Sequence, residues 1–258
     1  MNIVVFDIET VPDTEYGRKL FNAIPDKEIA ELMFKSRLDE TEGKTEILKH
    51  FQQKVVAISS VINSNGKMKV GSLCENNSSE KEIISKLFEI IDKLSPTLVT
   101  WNGNNFDLPV IHYRALFYGV QSKIYWNTKD NNKWNNYLSR YHDKHTDLMD
   151  VIAGYNNQAF SKLDHISKFI GLPGKMVMEG NEVWKEYFNG NIEKIRNYCE
   201  IDVINTYLIY LRFLLIKCEI THQTLKLEVE KLISYLKNEN KNHFNDFINE
   251  FCVKNFLV

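Results

Sequence analysis

The strongest constraint on this chain is Val4-Val5-Phe6-Asp7-Ile8-Glu9-Thr10, an apolar run that carries two acids. At the two-residue period of a strand, Asp7 and Glu9 share one face, and Phe6 and Ile8 share the other. Two carboxylates less than about 7 Å apart along a buried strand repel each other, and each is costly to take out of water. The pair is tolerated if positive charge sits between them. The stretch itself holds no Lys or Arg. Either a divalent ion bridges the acids, with oxygen ligands favouring Mg²⁺ or Mn²⁺, or both acids lie solvated at an exposed strand end.

A chain of 258 residues can bury a substantial core, in one large domain or two small ones. No linker or internal repeat divides it, so a single domain over 1–258 is expected. The formal net charge of −2 offers no global attraction to a polyanion. A nucleic-acid partner would have to be met by a local basic surface and by metal ions. Cys74, Cys199, Cys218 and Cys252 are far apart and form no CxxC pair, which argues against a zinc ribbon or disulfide framework and fits a reducing compartment. His142 and His145 make an HxxH with no second ligand pair, so a surface location is expected for both. No basic segment followed by an apolar run opens the chain, and no apolar run reaches the roughly 18 residues that span a bilayer. The expectation is a cytoplasmic protein with no membrane partner.

After Val11-Pro12-Asp13 ends the first strand, residues 14–52 read as a loosely helical excursion. Ile24, Ile29, Leu32, Met33 and Leu38 form its interrupted apolar stripe, and Asp39 to Lys49 is a solvated charge run. Lys54 to Ile62 is β-branched enough for a buried strand. Asn63 to Lys67 signals a turn, and Met68 to Leu73 is its hairpin partner. Ser79-Glu80-Lys81-Glu82 has capping-box spacing ahead of a helix whose inner face is Ile83, Ile84, Leu87, Phe88 and Ile91. Leu98 to Trp101 is a short strand. The helix after it holds Phe106, Val110, Ile111, Ala115 and Leu116.

In residues 121–145, Lys123, Lys129, Lys133, Arg140 and Lys144 stand against Asp130 and Asp143, interleaved with Tyr125, Trp126, Trp134, Tyr137 and Tyr141. Rings and cations in that mixture suit a single strand, since bases stack on rings while cations track phosphates. A polar loop with a few packing aromatics reads equally well. The rest is helical: Ser161 to Ile170, Glu182 to Phe188, a long helix opened by Asn191 as N-cap, then Leu225 to Leu236 and Phe244 to Phe256. Gly171, Pro173 and Gly174 separate the first two. Strands early and helices late suit a mixed sheet with helices packed against it.

Two further acids stand out. Asp107 follows Asn102-Gly103-Asn104-Asn105-Phe106 at a helix start. Asp202 closes Tyr198-Cys199-Glu200-Ile201-Asp202, where spacing i, i+4 puts Tyr198 and Asp202 one turn apart on one face. Asp202 has apolar neighbours in Ile201, Val203 and Ile204.

Phe6 to Thr10, Asn102 to Asp107 and Tyr198 to Asp202 together resemble the three exonuclease motifs of the DEDD superfamily. They are most similar to those of the proofreading domain of family B DNA polymerases. Tyr198 lies four residues before Asp202, and Asn197 rather than His stands five before it, which places the resemblance in the tyrosine subclass. Lys54 to Ser59, His145 to Asp150, Ser161 to Ile166 and Gly171 to Lys175 are also similar to a bacterial family of stand-alone predicted 3′–5′ exonucleases. The resemblance covers about residues 1–213; helices at about 222–256 follow.

The resemblance implies an α/β, ribonuclease H-like fold with a mixed central sheet flanked by helices and a helical C-terminal part. It implies hydrolysis of a terminal phosphodiester with two ions, Mg²⁺ or Mn²⁺. One would be held by Asp7, Glu9 and Asp202, the other mainly by Asp7 and Asp107. Ions about 3.5–4 Å apart activate the attacking water and stabilise the leaving oxygen. Tyr198 would orient that water, since a phenol is protonated at neutral pH. Asn102, Phe106 and Thr10 are implied contacts for the terminal nucleotide. Asp147 and Asp164 receive no metal role, and Lys175 is expected to be a solvated loop lysine that could reach a phosphate. The expected partner is nucleic acid with a free 3′ end, single-stranded DNA foremost. The chain ends too soon after the third motif to hold a polymerase, so action alone or with a separate partner is expected. The alternatives are an exoribonuclease, or a non-catalytic nucleic-acid-binding protein on the same fold.

Overall fold

The acid-bearing stretch forms the middle strand of a five-stranded mixed sheet, in a computed structural model that describes residues 2–22, 25–129, 132–176 and 178–257. Along the chain, β1 (Ile3–Pro12) leads to α1 (Thr14–Phe21), α2 (Asp26–Glu40), β2 (Gln53–Ser64), β3 (Lys67–Ser72) and α3 (Glu80–Leu94). Then come β4 (Thr97–Thr100), α4 (Asp107–Tyr118), β5 (His145–Asp147) and α5 (Leu148–Ile152). The rest is helical: α6 (Leu163–Phe169), α7 (Val183–Phe188), α8 (Ile192–Ile216), α9 (His222–Glu239), α10 (Asn242–Glu250) and α11 (Val253–Phe256).

Strand order is β3-β2-β1-β4-β5. β1 runs antiparallel to β2 and parallel to β4, which is in turn parallel to β5. β2 accompanies β1 as far as Pro12, with an irregularity between Glu9 and Thr10, whereas β4 accompanies it over Ile3–Val5. β1 therefore overruns β4, and Asp7 and Glu9 lie beyond the C-terminal end of that neighbour.

Both sheet faces are covered, and the two-residue alternation divides β1 between them. Val4, Phe6 and Ile8 pack with Ile84, Leu87 and Phe88 of α3 and Val110 and Ile111 of α4. Ile3 and Val5 pack against α8, so Asp7 and Glu9 continue the α8 face. α8 is buried on all sides from Tyr198 to Leu211, as a helix in the middle of a layered core must be. Its outer side is covered by Leu225, Val229, Leu232 and Leu236 of α9 and Phe244 and Phe247 of α10. Glu200 locks this stack together: it accepts from the Ser72 backbone N–H (2.9 Å), Lys241 Nζ (2.9 Å) and His243 Nε2 (2.9 Å). Burial alone would raise its pKa, but these partners hold it down at about 2.

Several expectations are corrected. Of the predicted stripe in α2, Ile29 and Met33 are buried, whereas Leu32 and Leu38 face solvent, because the helix rests mainly on α1 and Leu48. Ile24 and Asp130 lie outside the described residues. In α4, Leu116 is 79% exposed while Arg114 is buried. Arg114 takes the inner position because Glu80 and Asp13 (2.6 Å) neutralise it there. His145 is buried rather than superficial, with Nε2 2.8 Å from the Thr100 hydroxyl, and burial pushes its pKa down to about 4. Asn191 stands at the N-cap of α8, but its side-chain amide donates to Glu186 (2.7 Å). The last predicted helix is two, broken at Phe251-Cys252. Among the described residues, no helix is long and apolar enough to cross a membrane.

Candidate active site

Asp7, Glu9, Asp107, Tyr198 and Asp202 line one cleft of about 700 Å³. β1 supplies the first pair past the end of β4. Asp107 comes from the loop that leaves β4, and the sequence shapes that loop for close approach. Asn102 adopts φ +67°, a left-handed conformation that Asn tolerates better than most residues. Gly103 is packed so tightly on Thr100 that a Cβ there would collide with its side chain. Asp147, at the end of β5, pins the loop by accepting the N–H groups of Asn102 (2.9 Å) and Asn104 (2.9 Å). Asp107 then begins α4 with its side chain buried.

The buried face of α8 supplies Tyr198, Cys199 and Asp202. The Cys199 thiol donates to Asp7, with Sγ 3.4 Å from its carbonyl oxygen and 3.6 Å from Oδ2. Opposite stands Lys175, whose ammonium donates to the Tyr198 hydroxyl and lies 3.9 Å from Asp202 Oδ2. Gly174 (φ +73°) makes the turn that aims it. That turn is pinned by Lys175 N–H to Asp164 (2.8 Å) and by the Asn205 amide to the Gly174 carbonyl (3.1 Å).

The acids perturb one another strongly. Burial, then the charges of Asp107 and Asp202, raise Asp7 well above the carboxylate range. Burial and Asp7 do the same to Glu9. Burial pushes Asp107 up to about 7 and Asp202 up to about 6, the latter against the pull of Lys175 and a hydrogen bond from Tyr198. Tyr198 is itself held protonated by burial and by the negative charge of Asp202, Glu9 and Asp7.

This donor set fits a hard divalent cation. Among the described residues, Asp107 Oδ1 and Asp202 Oδ1 are buried and have no hydrogen-bond partner, a costly condition that a cation relieves. Atoms of Asp7, Glu9 and Cys199 lie within 4.8 Å of one another. Cys199 is the poor member of that trio, because burial keeps its thiol protonated and hard ions prefer oxygen.

Asn102 and Phe106 also line the cleft. Thr10 lines an adjoining one, with its hydroxyl donated to Gln53. Lys175 is no solvated loop lysine; it brings positive charge to the acids from a distant part of the chain. In the 121–145 segment Tyr125 and Tyr137 are core, whereas Trp134 and Tyr141 are exposed at 78% and 70%.

The fold and this convergence of acids define a ribonuclease H-like α/β protein. The family B DNA polymerase from Pyrobaculum calidifontis superposes with a TM-score of 0.50 at 18% identity, over 83% of this chain and 24% of that one. A family model described as a predicted 3′–5′ exonuclease related to the exonuclease domain of PolB matches residues 45–251, and the chain belongs to that family. The match includes Asp107, Lys175, Tyr198 and Asp202 and begins after Asp7 and Glu9. DNA polymerase 1 of Sulfolobus acidocaldarius is 46% identical over 55 residues, which are 21% of this chain and 6% of that one. A DNA polymerase of Archaeoglobus fulgidus is 25% identical over 133 residues, 50% of this chain and 17% of its own. The matched region is thus a small part of each polymerase.

Proposed function

We propose that the chain is a 3′–5′ exonuclease that hydrolyses the terminal phosphodiester of single-stranded DNA with two divalent ions, Mg²⁺ or Mn²⁺. The observation that carries this reading is the meeting of four acids in one open cleft, three of them buried, one half-buried, and two with unpartnered oxygens. Asp7, Glu9 and Asp202 would hold one ion, and Asp7 with Asp107 the other. When bound, the ions supply an activated water and stabilise the leaving 3′ oxygen. Tyr198, a phenol protonated at neutral pH, keeps its proton and orients the water by a hydrogen bond. Lys175 offsets negative charge on the acids and on the scissile phosphate. Asn102 and Phe106 meet the terminal nucleotide at the cleft wall, and Thr10 meets it from the adjoining cleft.

Exposed Trp134 and Tyr141, flanked by Lys133 and Arg140, support contact with an unpaired strand. Helices α9 to α11 belong to the same domain in this reading, since they cover the helix that carries Tyr198 and Asp202. Digestion of 5′-labelled single-stranded DNA and RNA with Mg²⁺, Mn²⁺ or EDTA tests the proposal. A ladder shortening from the 3′ end only with metal is expected, and RNA digested faster than DNA would reassign the substrate. Undiminished digestion in EDTA, or by Asp7→Ala, overturns the two-ion reading.

A further inference from the structure

Asp150, on α5, is fully buried, and its charge is met by a residue from the 121–145 segment. Arg140 donates from Nε to Oδ2 (2.8 Å) and from Nη2 to Oδ1 (2.6 Å). Such a two-pronged pairing fixes the angle between the groups as well as their distance. The same Oδ2 accepts from the side-chain amide of Asn104 (2.7 Å). Asn104 stands in the loop that leaves β4, three residues before Asp107. Two segments distant in sequence, one of them proposed to meet an unpaired strand, are thus joined at one buried carboxylate.

We infer that Arg140 is a positioning residue for the proposed reaction: through Asp150 and Asn104 it holds the loop that aims Asp107 at the metal site. The inference rests on the exonuclease reading and deepens it. Asp107 Oδ1 has no hydrogen-bond partner among the described residues, so that oxygen is aimed by the backbone that carries it. The loop brackets that backbone: Phe106 N–H donates to the Asn102 carbonyl (3.1 Å), and Leu108 N–H to the Gly103 carbonyl (2.9 Å). A shift at residues 102–104 therefore moves Asp107. Asp147 holds the loop by its backbone, and Asp150 holds it by the Asn104 side chain. Without Arg140, Asp150 becomes an underpaired buried charge, a costly state that water or a proton relieves. Its hold on Asn104 then loosens. Arg140 directs two donors inward, whereas the next residue, Tyr141, is 70% exposed. One neighbour steadies the site while the other meets the solvent side.

The test measures calorimetric Mn²⁺ binding and steady-state digestion of single-stranded DNA in Arg140→Ala and Asn104→Ala. Asn104→Ala cuts the tie but leaves the Arg140–Asp150 pair intact, so folding is spared. Each variant should weaken Mn²⁺ binding and lower kcat by about tenfold or more, the usual cost of removing a group that orients a metal ligand. KM should stay nearly constant. In an Asp107→Asn background, Arg140→Ala should weaken Mn²⁺ binding no further, because it acts through Asp107. A raised KM with unchanged kcat would make Arg140 a phosphate contact and overturn the inference. Undiminished Mn²⁺ affinity in both variants, or a full loss added on top of Asp107→Asn, would overturn it too. If wild type neither binds Mn²⁺ nor cuts DNA, the exonuclease reading fails on its own. Hydrogen exchange at the Asn102 and Asn104 amides then decides the tie. Acceleration confined to that loop in Arg140→Ala supports it, and acceleration spread over the whole chain, or none, overturns it.

Discussion

The ammonium of Lys175 stands 3.9 Å from a carboxylate oxygen of Asp202, although 27 residues separate them along the chain. The same ammonium donates to Tyr198 and lies 4.9 Å from the centre of its ring. A cation desolvated against a ring and a carboxylate interacts far more strongly than one in water. It lowers the pKa values of Asp7, Glu9 and Asp202 together. Part of the positive charge that two neighbouring strand acids require is therefore supplied by the protein, and divalent ions supply the remainder in the proposed reaction.

Lys175→Ala is expected to slow single-turnover cleavage by about 10²–10³, the cost of losing one preorganised donor at developing charge. KM should change little, because base stacking and the remaining phosphate contacts persist. An unchanged rate would reduce Lys175 to a structural counter-ion.

Tyr198→Phe is expected to lower kcat by about 10²-fold or more, the contribution of a positioned hydrogen-bonding side chain, with KM and melting temperature nearly constant. The ring would still fill its place beside Val11, Ala57 and Ile195. A normal rate with a lowered melting point would make the tyrosine structural.

Local pattern made much of this architecture legible. Alternation in β1 sorts Phe6 and Ile8 from Asp7 and Glu9, and the Ser79–Glu82 capping box forms as its spacing requires. Convergence was not legible from pattern. Asp107 and Asp202 meet Asp7 only through the sheet order and the depth of α8, and only resemblance to a family placed them together. Lys175 escaped because its position depends on a left-handed glycine and on contacts to α6 and α8, none of which has a periodicity. Arg114 and Leu116 exchanged places because a buried ion network overrode hydrophobic spacing.

That network gives a stability prediction. Arg114 donates to Glu80 (2.7 Å from Nε) and to Asp13 (2.6 Å), and Glu80 also accepts from Tyr118 (2.9 Å) and the Val55 N–H (2.6 Å). Arg114→Ala strands two buried carboxylates at the end of β1 and the start of α3. A loss of about 3–5 kcal/mol is expected in urea unfolding, whereas a loss below about 1 kcal/mol would mean that water reaches the acids.

The last prediction couples pH to metal. Asp107 and Asp202 hold protons up to about 7 and about 6 in the folded chain, against an ordinary aspartate value of 3.8, and Asp7 and Glu9 are raised too. Between about pH 4 and 7 the native site binds more protons than the unfolded chain, so unfolding releases protons and stability falls as pH rises. The contribution is fully present below the unfolded value and is lost as pH passes through the folded ones. His112 and His145, both pushed down to about 4 by burial, slope the opposite way below 6.5. Glu200, held at about 2, acts only in stronger acid. The difference between melting curves with Mn²⁺ and with EDTA cancels those groups and isolates the site. A divalent ion competes with the protons on the acids, so the Mn²⁺-induced rise in melting temperature should be small near pH 5 and large near pH 8. Asp107→Asn should shrink the rise at pH 8. An Mn²⁺ effect equal at both pH values would mean that the ion binds elsewhere.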